Sequence, residues 1–87
     1  MRGEELLTFV VYDVPDDRIR VRVANVCKDF GLRRIQYSAF RGFLDATRRE
    51  EMFARLADVL GEETGRILVV PVCEKDVRLQ RLAENEG

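Results

Sequence analysis

The sequence contains no histidine. That excludes histidine-based catalytic triads, histidine general bases and most zinc arrangements. It also lacks a glycine-rich phosphate loop and any Walker pattern. Only two cysteines occur, Cys27 and Cys73, both in apolar stretches without CxxC spacing or a basic partner of the catalytic kind. We read both as small buried hydrophobes that stay reduced inside a cell. Ser38 lies within a strand-like run and has no evident base, so nucleophilic catalysis is disfavoured. No apolar run approaches the about 20 residues that cross a bilayer. The N-terminus leads straight into a strand pattern without the apolar core of a signal peptide. A cytoplasmic protein with no membrane partner is expected. Carboxylate and metal chemistry remains.

What is present is short and charged. At 87 residues the chain is one domain with a marginal core of its own, which points to support from oligomerisation. The formal net charge is -1, but it is unevenly spread. Residues 1–17 carry one basic and five acidic groups, whereas residues 18–41 carry seven basic groups and one acid. Such a basic segment can grip phosphate whatever the total charge. Six of its seven bases are arginine, whose planar fork matches two phosphate oxygens. Solvated arginines on an exposed face are the other reading.

Leu6–Val14, LLTFVVYDV, is nearly continuous in β-preferring residues, which predicts a central strand buried on both faces. Asp16 or Asp17 can cap a helix running to Phe30, with Ile19, Val23, Val26, Cys27 and Phe30 in one stripe and Gly31 as its stop. Arg20 and Arg22 fall on opposite flanks of that stripe and can hold their heads at the core's rim. Leu32–Leu44 reads as two short strands broken near Tyr37-Ser38. A second helix is expected over 45–60, with Thr47 and Glu50 as a capping box and Phe53, Leu56, Ala57 and Leu60 as its apolar face; Met52 is also assigned to the core. Arg66–Glu74 is the last clear strand, and Pro71 assigns it to an edge or a bulge. Residues 75–87 form a tail in which Val77 and Leu79 alternate as in a strand, while the final AENEG looks frayed. The order βαββαβ points to an α+β, ferredoxin-like sandwich over 1–74, an antiparallel sheet with two helices on one face.

Asp13 is the acid worth choosing, because it closes a strand that otherwise buries apolar residues. A carboxylate there is costly unless paired or metal-bound. Magnesium accepts one or two protein carboxylates plus water and phosphate oxygens, and a twofold dimer supplies two. The other reading makes Asp13 a loop residue that caps the helix with Asp16 and Asp17. Tyr12 and Phe40 read as core or rim aromatics rather than stacking platforms, and Arg34 and Arg41, near the strand ends, as solvated rather than functional.

Three linked blocks, VVYDV with DDRIRVRVA, FGLRRIQYSAFRG and LVVPVC, resemble the CRISPR-associated protein two family over most of the chain. That family is the small partner of the integrase that captures new spacers. The resemblance implies a ferredoxin-like homodimer. It further implies either a magnesium-dependent endonuclease acting on single-stranded RNA or double-stranded DNA, or a DNA-binding scaffold between integrase dimers. Carried over by motif, the catalytic and metal-binding acid is Asp13 from each subunit, with Tyr12, Arg20, Arg22, Arg34 and Phe40 as nucleic-acid-binding or supporting residues. The family's tail often adds a strand that pairs with the other subunit. The short, charged tail here departs from that pattern.

Overall fold

A computed structural model describes residues 4–85. Its elements follow the expected order: β1 (Leu6–Asp13), α1 (Asp17–Asp29), β2 (Arg33–Gln36), β3 (Ala39–Leu44), α2 (Ala46–Leu60) and β4 (Arg66–Val72), with a short α3 (Glu74–Val77) appended. The four strands form one antiparallel sheet in the order β2-β3-β1-β4. This is the ferredoxin-like sandwich. β1 is central and β4 lies at an edge, where Pro71, opposite Thr8, withholds no interior ladder hydrogen bond.

The two helices cover one face of the sheet. Val10, Tyr12, Phe40 and Leu44 point from the sheet into a core completed by Val23, Val26 and Cys27 of α1 and Met52 and Leu56 of α2. Each such large apolar side chain, fully buried, contributes about 1.5–3 kcal/mol before the entropy cost of ordering it. α1 starts where Asp16 Oδ1 accepts a hydrogen bond from the Ile19 amide at 3.0 Å. It ends at Phe30 and Gly31, the latter at φ 82°, a left-handed conformation that favours glycine.

Several expectations change. α2 is capped by Asp45, whose Oδ1 accepts from the Arg48 amide at 2.8 Å, and not by Thr47 with Glu50. The cap moves because Asp45 already stands in extended backbone at the end of β3. The inward stripe of α2 is Met52 and Leu56 with Val59 and Leu60, rotated one residue from the expected face. Phe53 and Ala57 are exposed; Phe53 lies instead beside Ile67 and Pro71 of the edge strand. β1 is not buried along its whole length on both faces: α1 and α2 cover one side, α3 covers only Leu7 on the other, and Val11 is 45% exposed there. Cys27 is buried, but Cys73 is exposed because β4 ends at Val72 and Cys73 becomes the N-cap of α3. The tail forms no strand among the described residues. Val77 belongs to α3, Leu79 and Leu82 are exposed, and residues 86–87 lie outside the described part.

Gly42 is required by a close approach. A Cβ there would meet the Leu32 backbone Cα and side-chain Cγ at 3.1 Å, where the chain entering β2 crosses β3. Gly42→Ala is expected to destabilise the fold by about 1–3 kcal/mol, the usual range for overpacking, measured as a lower denaturation midpoint with an unchanged m-value.

Candidate functional site

The strand alternation divides the residues singled out in the sequence between two faces of the sheet. Tyr12 is buried on the helix side, where its ring stacks on Phe40 at 6.4 Å between centroids. Arg34, the register partner of Phe40, places its guanidinium 4.8 Å over the Phe40 ring. Its Nη1 donates to the carbonyl oxygen of Tyr37. Arg20 reaches the same region from α1. Its Nη1 donates to Val14 O at 3.0 Å and Pro15 O at 2.9 Å, its Nη2 pairs with Asp17, and it lies 5.6 Å from the Tyr37 ring centre. Tyr12, Arg20 and Arg34 border a cavity of about 330 Å³, with Asp17, Val21, Ala24 and Tyr37 completing the lining.

Burial pushes the Tyr12 hydroxyl above its ordinary value, while the Arg34 guanidinium pulls in the opposite direction. Burial also pushes the Cys27 thiol up to about 12, against the same arginine. Both groups are therefore held neutral in the fold. Unfolding releases Cys27 to its ordinary value of 9.0, so above that pH the unfolded chain binds fewer protons than the folded one. Stability is accordingly full below pH 9.0 and falls as pH rises from there toward about 12. A proton difference of one corresponds to about 1.4 kcal/mol per pH unit. Denaturation midpoints measured across this range should fall for the natural chain, and less steeply for Cys27→Ala, which starts from a lower midpoint.

Asp13 lies on the opposite face. It ends β1, is exposed, and pairs in register with Arg66 of β4 without forming an ion pair with it. Helix capping falls to Asp16, so Asp13 is not a cap. Gly65, at φ 147°, packs beneath it: a Cβ there would stand 3.0 Å from the Asp13 carbonyl oxygen. Around Asp13 the sheet face is open, and only its far end, at the buried Leu7, is covered by α3. Val11 is paired with Leu68 (59% exposed), Phe9 with Val70, and Leu7 with Phe43 (60% exposed). Arg33 and Arg41, cross-strand partners, border that face on the β2 side.

The structure thus brings Tyr12, Arg20, Arg34 and Phe40 together and leaves Asp13 on the other side of the sheet. Arg22 is exposed on α1 and does not line the cavity. Phe40 is fully buried and supports Arg34 and Tyr12 rather than meeting a ligand. Tyr37 escaped the sequence reading, which took it as the break between two strands. Its signal was an aromatic at a hairpin tip flanked by arginines.

Among the described residues no three His, Cys, Asp or Glu side chains gather to hold an ion. One chain offers a single exposed carboxylate at the end of β1. That oxygen donor suits a hard cation such as magnesium, which completes its shell with water and phosphate, and does not suit zinc.

Residues 6–79 match the sequence model of CRISPR associated protein Cas2, and the chain belongs to that family. It is 46% identical over 77 residues to "CRISPR-associated endoribonuclease Cas2" of Desulforudis audaxviator, covering 88% of this chain and 73% of that protein. The crystal structure of Streptococcus pyogenes Cas2 superposes with a TM-score of 0.72 at 27% identity, covering 91% of this chain and 100% of that one. A "CRISPR-associated endonuclease Cas1/endonuclease Cas2 fusion" of Thermoproteus tenax is 31% identical over 72 residues, covering 83% of this chain and 27% of the fusion. No helix among the described residues is long and apolar enough to cross a membrane.

Proposed function

We infer that this protein is a magnesium-dependent endonuclease of CRISPR adaptation that works as a homodimer and uses Asp13 of both subunits. The observation that carries this reading is the position of Asp13 at the corner of an open apolar sheet face. Val11, Phe43, Leu68 and Val70 are all exposed on this face, and a group of exposed apolar side chains is the kind of surface that marks an interaction site. Packing that face against its twofold copy covers Val11, Phe43, Leu68 and Val70 and brings the two Asp13 carboxylates onto a shared interface. Magnesium, when bound there, supplies Lewis acidity toward a phosphoryl oxygen. Asp13 holds it; Arg33 and Arg41, on the same face, and Arg22 on α1 draw the phosphate backbone. The relatives' names, endoribonuclease and endonuclease, support the nuclease reading, and the Cas1/Cas2 fusion supports a partnership with Cas1. Residues 75–87 act as a contact tail on this reading, with Val77 beside Leu7 and Phe43 at the rim of the open face.

The test is cleavage of single-stranded RNA and double-stranded DNA by the purified protein with magnesium, with chelator, and with Asp13→Ala. Cleavage that needs the metal and vanishes in the variant is the expected result. The second reading is a binding scaffold between integrase dimers. It is favoured by the absence, among the described residues, of any group of three His, Cys, Asp or Glu side chains around an ion site, and it expects integration in a reconstituted assay to survive Asp13→Ala but not reversal of the arginines.

A further inference from the structure

The cavity on the helix side of the sheet is separated from Asp13 by the sheet itself, so a role for Asp13 leaves it unexplained. Its outermost member is Tyr37, at the tip of the β2–β3 hairpin and 73% exposed. A tyrosine that open to water contributes little to the core, yet its position is fixed from two sides. Arg20 lies 5.6 Å from the ring centre, and Arg34 Nη1 holds the Tyr37 carbonyl oxygen. Arg20 is itself immobilised by Val14 O, Pro15 O and Asp17. One ring face therefore rests on a fixed cation, and the exposure of the residue leaves the other face to solvent.

Arg34 commits one donor to the Tyr37 carbonyl oxygen and another to the Tyr12 hydroxyl, and stands exposed at the cavity mouth. A guanidinium has five N–H donors, so donors remain for a phosphate oxygen. The charges facing the cavity are Arg20 and Arg34 against Asp17, which leaves it cationic. Its 330 Å³ lies at the small end of the about 300–1,000 Å³ of ligand pockets. An open aromatic face, a cationic rim and a volume of this size match a flat heteroaromatic ring joined to a phosphate.

We propose that Tyr37 is the stacking platform for one unpaired nucleotide, its base lying on the ring and its phosphate held by Arg34. Tyr12, buried in the core, closes the floor of the cavity. A paired base has both faces covered by its neighbours and cannot use the platform. The protein consequently favours single-stranded nucleic acid, or the frayed end of a duplex, over a continuous duplex. This inference rests on the nuclease reading only in taking nucleic acid as the ligand.

The experiment uses a short single-stranded oligoribonucleotide carrying 2-aminopurine, whose fluorescence is quenched on stacking, with the blunt duplex of the same sequence as control and chelator present to prevent cleavage. Natural protein and Tyr37→Phe should bind the single strand and quench it. Tyr37→Ala should bind it about tenfold more weakly, without quenching, and bind the duplex unchanged. Quenching by Tyr37→Ala equal to that of the natural protein overturns the platform and leaves the nuclease reading standing. Equal loss of single strand and duplex in Tyr37→Ala overturns it as well, since the ring would then be acting on the fold. If the natural protein binds neither probe, nucleic acid is not its ligand and both readings fall together.

Discussion

Replacing Asp13 by alanine or asparagine should lower magnesium-dependent cleavage by about a thousandfold while leaving the fold, the dimer and nucleic-acid binding in place. The magnitude follows from the chemistry. A divalent cation at a phosphoryl group contributes several kcal/mol of charge stabilisation, and each 1.36 kcal/mol is tenfold in rate. The selectivity follows from the structure. Asp13 is exposed, makes no ion pair, and caps no helix, so its side chain can be removed without orphaning a partner. Asparagine is the stricter variant, because it keeps the size and removes only the charge. Rates measured across a magnesium titration, with circular dichroism and sedimentation of each variant, check the claim. Undiminished cleavage by Asp13→Asn would assign the activity to another group or to a contaminant. A folded, dimeric variant that supports integration but not cleavage would separate the two proposed roles.

How far these features could be read in the sequence depends on what fixes each one. The order of elements was legible because local signals dominate: the β-rich run before Asp13, the stripe through Val23, Val26 and Cys27, and Pro71 at an edge. The orientation of α2 was not. Phe53–Leu56–Leu60 and Met52–Leu56–Val59 are both acceptable helical stripes, and only packing against the sheet selects the second. The double burial expected for β1 failed for a related reason. A nearly continuous apolar run cannot distinguish a face covered by helices from one left open, and Val11 and Leu68 lie on the open one. At the site, the sequence named Tyr12 and Asp13 side by side. It could not show that a pleated strand turns them to opposite faces, which makes one residue part of an aromatic cavity and the other part of an open sheet. Tyr37 passed unnoticed because its significance lies in the approach of Arg20 from α1, a contact across 17 residues of sequence.

A charge placed at the centre of the open face should abolish the dimer and, with it, cleavage. Leu68 is the position for it: 59% exposed, the cross-strand partner of Val11, on β4, with no role in the core behind the sheet. Leu68→Arg is tolerated by a single chain, where the side chain extends into water, so the midpoint of denaturation in dilute solution should change by less than about 1 kcal/mol. In a twofold dimer the same substitution enters the interface twice. Each uncompensated buried charge costs about 3–5 kcal/mol, which weakens association by a thousandfold or more at 1.4 kcal/mol per factor of ten. Sedimentation should then report a folded monomer. Cleavage should be lost although Asp13 is intact, because one chain presents one carboxylate. Leu68→Met, which keeps the surface apolar, should remain dimeric and active. If Leu68→Arg stays dimeric, the subunits meet through another surface and the pairing of Asp13 across this face is wrong. If it becomes monomeric yet still cleaves at the natural rate, one Asp13 suffices, and the dimer serves binding rather than chemistry. The catalytic reading therefore depends on the order of the two measurements: the oligomeric state of Leu68→Arg decides whether a loss of activity in Asp13→Asn reports half of a shared site or the whole of a separate one.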